Sequence, residues 1–151
     1  MSRAFVKEDN GEGGDALPDR PVSPAPNFVT PEGLALIDAE LARLQDALAA
    51  AGDDRAARAS VERDLRYWRA RRASAEVIPP PETAEVRFGS TVTIERDDGR
   101  RQTWRIVGED EADPAKGTLS YVAPLARALV GKVAGDTVTV AGSEAEIIAV
   151  A

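Results

Sequence analysis

The chain has 151 residues and a formal net charge of −7, with no cysteine and no histidine. Disulfides, thiolate metal sites, serine–histidine and cysteine–histidine catalysis and the commonest zinc ligand are thereby excluded. The negative balance works against autonomous DNA binding, which the phosphate backbone dominates, and no apolar run approaches the roughly 20 residues of a membrane span.

Residues 1–29 are rich in glycine, proline and acids, as in "NGEGGDALPDRPVSPAPN". Such a segment buries too little apolar surface to offset its ordering entropy, so a mobile tail is expected. Phe5 and the stretch Pro26 to Phe28 remain available to dock on the body. The N-terminus lacks the apolar core of a signal peptide, which predicts a cytoplasmic protein.

Residues 30–78 read as a helical hairpin. Thr30 is a good N-cap and Pro31 fits the first helical position. Leu34, Ile37, Leu41, Leu44 and Leu48 follow at alternating spacings of 3 and 4, the a/d seam of a coiled coil. Gly52 breaks the helix, and Asp53 or Asp54 can cap a second one. The second seam is Val61, Leu65 and Trp68, continued by Arg72 and Ala75. So short a break predicts antiparallel helices, each about 30 Å long at 1.5 Å per residue.

The prolines of residues 79–83 form a stiff linker. Residues 84–151 change period: "AEVRFGSTVTIERDDGRRQTWRIVG" alternates like strands, with Asp98-Gly99 at a hairpin turn. "LSYVAP" is a further short strand, "PLARALVGKVAGD" a short helix ended by Gly131, and "TVTVAGSEAEIIAVA" two closing strands. The fold class is α+β, with a mostly antiparallel sheet.

Three groups of residues invite chemistry. Asp53 and Asp54 at the hairpin turn read either as cap and solvated turn or as paired carboxylates offered to a partner's metal. Seven arginines crowd the second helix against only Glu62 and Asp64. Of these, Arg55, Arg58, Arg66 and Arg69 fall within a sector of about 80° beside the seam. They read either as a solvated face with i,i+4 pairing to Glu62 or as a contact surface for anionic partners. The loop "GEDEADPAKG" holds Asp110, Glu111 and Asp113 but lacks the ligand alternation and turn glycine of an EF-hand. Leu125 and Leu129 read as core.

The stretches "VRFGSTVTI", "IVGEDEAD", "APLARALVGKVAGDTV" and the helix opening "VTPEGLALIDAEL" resemble the bacterial Gre transcript-cleavage factor family, over roughly residues 29–150. The resemblance implies an N-terminal antiparallel coiled-coil finger and a C-terminal domain of FKBP-like fold. It also implies a monomer that is an accessory factor, not an enzyme, with RNA polymerase as partner. In that family the C-terminal domain docks at the rim of the polymerase secondary channel and the finger enters it. Acidic tip residues there help hold a Mg²⁺ shared with the polymerase while backtracked RNA is cut. On this chain the implied metal ligands are Asp53 and Asp54, with no tightly bound cofactor. The implied polymerase or nascent-RNA contacts are Arg55, Arg58, Arg66, Arg69, Asp110, Glu111, Asp113, Pro124 and Arg127.

The chain departs from the family at the tip. The usual run resembles "GDLxENxEY"; here it is "GDDRAARAS", so only Gly52 and Asp53 match. Ala123 stands where the family has serine. The hairpin is also shorter than the family's usual finger, and two turns lost per arm move a tip by about 10 Å. In these proportions the chain is similar to the regulator of nucleoside diphosphate kinase. That leaves a non-cleaving polymerase-binding competitor, or a regulator of another enzyme such as that kinase, as the alternative. Prolyl isomerase activity is disfavoured, since Phe88, Trp104 and Tyr121 are few walls for such a pocket.

Overall fold

The computed structural model describes residues 16–151. The chain divides into two units. One holds the described residues up to Pro24 together with residues 37–74, and the other holds residues 25–36 and 75–151. The mobile tail expected for residues 1–29 falls partly outside the described residues, including its Phe5. Its later part has defined partners, set out below.

Helix α1 spans Pro31–Ala51 and helix α2 spans Arg55–Ser74. Ile37 and Leu44 are buried, and Leu34, Leu41 and Leu48 are half-buried, while most remaining positions of α1 are exposed. The 3-and-4 spacing therefore does place one stripe of α1 out of solvent. On α2, Leu65 is buried and Val61 and Trp68 are half-buried. The Arg72 Nε–H donates to Asp38 Oδ1 at 2.7 Å, joining the two helices.

Two details differ from expectation. The spacing puts Arg72 on the seam, yet Arg71 is the buried arginine, 1% exposed. Arg72 extends a long stem outward to reach Asp38, so its charged head stays in water. The second helix also stops at Ser74. Residues Glu76–Val77 form strand β2, which pairs in parallel with strand β1, Phe28–Val29. The chain on either side of the helices is thus joined by backbone bonds, Glu76 N–H to Asn27 O and Ile78 N–H to Val29 O.

The main sheet contains β3 (Thr91–Arg96), β4 (Arg101–Val107), β5 (Thr118–Ser120), β6 (Thr137–Val140) and β7 (Ser143–Val150). Its order is β5-β4-β3-β7-β6. Only β4 and β5 run parallel. The alternation expected from residue 84 begins only at Thr91, because Val86 to Ser90 fold as a turn in which Ser90 Oγ accepts the Arg87 N–H at 2.9 Å. The β3–β4 hairpin turns at Asp98-Gly99 as its sequence predicts, with Asp98 Oδ1 accepting the Arg100 N–H at 3.0 Å.

Val92 and Ile94 of β3, Ile106 of β4 and Ala145 and Ile147 of β7 face one side of the sheet. Helix α3 (Pro124–Leu129) covers that side with Leu125, Ala126 and Leu129. Each large aliphatic side chain so buried contributes about 1.5–3 kcal/mol. This core fixes the loop 108–113 and the start of α3, from which most of the candidate contacts of this unit arise.

Candidate functional site

The turn between α1 and α2 is closed by Asp54 N–H donating to Ala51 O at 2.9 Å, with Gly52 at a φ of +55°. Few residues other than glycine tolerate that conformation. Asp54 Oδ1 accepts the Ala57 N–H at 3.1 Å, and its carbonyl accepts the Arg58 N–H. Asp54 is therefore the N-cap of α2, satisfying one of the orphan donors of a helix start. Arg58 folds back onto the same turn, donating to Gly52 O at 3.3 Å, and pairs with Glu62 at 3.6 Å. Asp53, Arg55 and Arg69 are exposed.

One oxygen of Asp54 belongs to the helix cap, and among the described residues no group of three or more metal-ligating side chains comes together. Mg²⁺ takes oxygen ligands and keeps several waters, but one or two carboxylates hold it only with help from other ligands.

Arg66 meets the N-terminal segment. Its Nε–H donates to Asp19 Oδ1 at 2.5 Å and its Nη2 to Leu17 O at 3.0 Å. In return, Arg20 Nη1 donates to Asp64 Oδ1 at 3.4 Å, and the Arg20 guanidinium lies 4.0 Å over the Tyr67 ring. Asp19, Arg20, Val22, Arg66, Tyr67 and Ala70 line a hollow of about 110 Å³.

In the other unit, the acids of the loop 108–113 turn inward. Glu111 Oε2 accepts the Thr30 N–H at 2.9 Å and the Gly108 N–H at 3.1 Å, while Oε1 accepts the Thr30 hydroxyl at 2.5 Å. Thr30 Oγ1 in turn accepts the Gly33 N–H at 3.0 Å. In an ordinary capping box, the residue three beyond the cap is a Glu or Gln that returns a bond to the cap's own N–H. Here that residue is Gly33, and Glu111 supplies the carboxylate from a distant loop. A Cβ at residue 33 would lie 2.3 Å from Glu111 Oε2, so the glycine makes room for the carboxylate. Asp113 caps a short 3-10 turn, Pro114–Lys116, by accepting the Ala115 N–H at 3.1 Å. Asp110 is half-buried beside them. Glu32 bonds Arg105 at 3.2 Å, and its own backbone N–H, then Arg105, hold its carboxyl below the usual value.

Pro124 is exposed at the first position of α3, and its N-cap, Ala123, makes no side-chain cap bond. The polar contact that a serine would supply there is absent. Arg127 is exposed and, with Ala25, Pro26, Tyr121, Val122 and Val130, lines an apolar hollow of about 360 Å³. The Tyr121 hydroxyl donates to Pro26 O. The rings of Phe28, Phe88 and Tyr121 pack at centroid distances of 5.3–5.9 Å. Phe28, Phe88 and Tyr121 thus pack on one another, while Trp104 packs against the core.

Of the expected site residues, Asp53, Asp54, Arg55, Arg58, Arg66 and Arg69 belong to one unit and Asp110, Glu111, Asp113, Pro124 and Arg127 to the other. Asp54, Glu111 and Asp113 work inside the chain, Arg66 is bridged to Asp19, and Pro124 and Arg127 share α3. Sequence reasoning missed the Thr30–Glu111 clasp and the strap at Asp19 and Arg20. The one local signal for the clasp is a Thr-Pro-Glu-Gly helix start whose capping acid is missing.

The family model for the transcription elongation factor GreA/GreB C-terminal domain matches residues 81–151. The transcription elongation factor GreA of Chloroflexus aurantiacus is 36% identical over 138 residues, 76% of this chain and 88% of that protein. The transcription elongation factor GreB of Neisseria meningitidis serogroup B is 43% identical over 81 residues, 52% of this chain and 50% of that protein. Among solved structures, GreA factor homolog 1 of Thermus thermophilus matches 84% of this chain and 99% of its own at 21% identity, with a TM-score of 0.42.

Proposed function

Because the chain belongs to the GreA/GreB family of transcription elongation factors, we propose that it binds RNA polymerase at the secondary channel without supplying the carboxylates that speed RNA cleavage. As a member of that family it is an accessory factor of elongation and not an enzyme itself. The α1–α2 pair is the antiparallel coiled-coil finger of this reading, supported by the buried Ile37, Leu44 and Leu65 and by the Arg72–Asp38 bond. The sheet and α3 are its FKBP-like domain, and the exposed Pro124 and Arg127 are its contact with the polymerase. The protein acts in the cytoplasm, where its partner is.

The observation that carries the non-cleaving half is the capping bond of Asp54. The Ala57 N–H holds one oxygen of Asp54 and so orients that carboxylate for the helix cap. Its neighbour Asp53 is a single carboxylate. Shared ligation of Mg²⁺ in a two-metal site needs oxygens placed to a few tenths of an ångström, and a helix cap with one loose neighbour does not offer that.

Retention on immobilised core RNA polymerase at low salt tests the binding half. The full chain is retained, and Pro124→Ala with Arg127→Ala reduces retention. No retention of the full chain would remove the reading.

A further inference from the structure

The segment from Leu17 to Val22 meets α2 through an exchange of opposite charges. The strap's acid, Asp19, accepts from the helix's Arg66 at 2.5 Å, and the strap's base, Arg20, donates to the helix's Asp64 at 3.4 Å. Arg66 takes a second acceptor, Leu17 O, and Arg20 adds its plane to the Tyr67 face. Four contacts in fixed register make a specific fit. Pro18, Pro21 and Pro24 hold such a segment extended, so it loses little freedom on docking.

The fit is also weak. Side-chain exposure is 44% and 74% for Arg66 and Asp19, and 38% and 25% for Arg20 and Asp64. Val22 is 47% exposed, so apolar burial adds little. A half-exposed pair shifts an equilibrium by a factor of only about 1.5–5, and an exposed cation–π contact by about 2–5.

We propose that Leu17–Val22 is a displaceable cover, and that the Asp64–Arg66–Tyr67 face of α2 beneath it is a docking surface for an extended protein segment carrying an acid next to a base. The mixed charge of the face decides the kind of partner. Arg66 binds the strap's anion, while Asp64 takes the strap's cation, Arg20, at 3.4 Å alongside its own neighbour Arg63 at 3.2 Å. A peptide with Asp-Arg character satisfies both, whereas a nucleic acid brings phosphates against Asp64. Displacement of the cover by such a partner is the step that bares Arg66, so the covered state holds partner affinity down by the fraction of time the cover is closed.

The identity of the partner as RNA polymerase rests on the function proposed above, and two readouts separate the claims. Bimane attached at Val22→Cys, in a chain with no other cysteine, reports the cover through quenching by Tyr67. Quenching in the free protein that is lost in Asp19→Ala/Arg20→Ala, and lost between about 50 and about 500 mM KCl, is expected. Absence of quenching, or quenching that persists in that double variant or at high salt, overturns the displaceable cover whether or not polymerase binds. On core polymerase, Asp19→Ala/Arg20→Ala without the label is expected to bind about three- to tenfold tighter than the parent, with the gain lost when Arg66→Ala is added. Equal or weaker binding overturns the docking surface. Should no variant bind polymerase, the polymerase reading fails and the bimane result alone decides the cover. Dequenching by a short single-stranded RNA but not by polymerase overturns the assignment to a protein partner.

Discussion

Gly33→Ala turns an ordinary stabilising substitution into a destabilising one. In a helix, alanine is favoured over glycine by about 1 kcal/mol. At residue 33 the new Cβ would sit 2.3 Å from Glu111 Oε2 and 2.5 Å from its carboxyl carbon. Contacts this short do not persist, so the carboxylate must leave. It gives up bonds from Thr30 N–H, the Thr30 hydroxyl and Gly108 N–H. Bonds to a charged group are worth about 1.5–3 kcal/mol each when nothing replaces them. Water recovers part of that at this half-buried place, leaving a net loss of about 2 kcal/mol. A loss of that size lowers the melting temperature of a domain of this size by about 10 °C. Thermal unfolding followed by circular dichroism, with urea titration as a second measure, reads the change. A double-mutant cycle sharpens it. Glu111→Ala alone destabilises by a similar amount, and in that background Gly33→Ala is neutral or stabilising, because the atom it would strike is gone. A single Gly33→Ala protein that melts higher than the parent would refute the clasp.

Three further substitutions test local readings by the same unfolding measurements. Asp54→Ala costs about 1 kcal/mol through loss of the α2 cap while Asp53→Ala stays within about 0.5 kcal/mol; equal effects would contradict the assignment of the cap. Ala123→Ser supplies the side-chain cap that α3 lacks and raises stability by about 0.5–1 kcal/mol. The β6–β7 hairpin turns on Ala141 and Gly142, both at positive φ, 55° and 78°, a turn that favours Asn-Gly. Ala141→Asn therefore stabilises by about 1 kcal/mol, and no gain would argue against the left-handed conformation at residue 141.

What could be read from the sequence was what local chemistry decides. The leucine spacing of α1 and the Asp98-Gly99 turn each need only a few neighbouring residues to specify them, and both stand in the structure. The β1–β2 pairing escaped notice because two-residue strands carry no period. Arg71 and Arg72 differ by one position, and a long side chain reaching for Asp38 overrides the helical angle that periodicity relies on. Glu111 read as an acid on a loop because its partner, Thr30, lies 81 residues away. The strap read as a solvated tail for a similar reason: Asp19 and Arg20 gain meaning only beside Arg66 and Asp64, and composition averages that complementarity away.

Cleavage of backtracked RNA in Mg²⁺ by purified polymerase, with and without this protein, bears most directly on the account. The prediction is occupancy of the polymerase without acceleration, unchanged by Asp53→Ala with Asp54→Ala. Faster cleavage that the double substitution abolishes would contradict it.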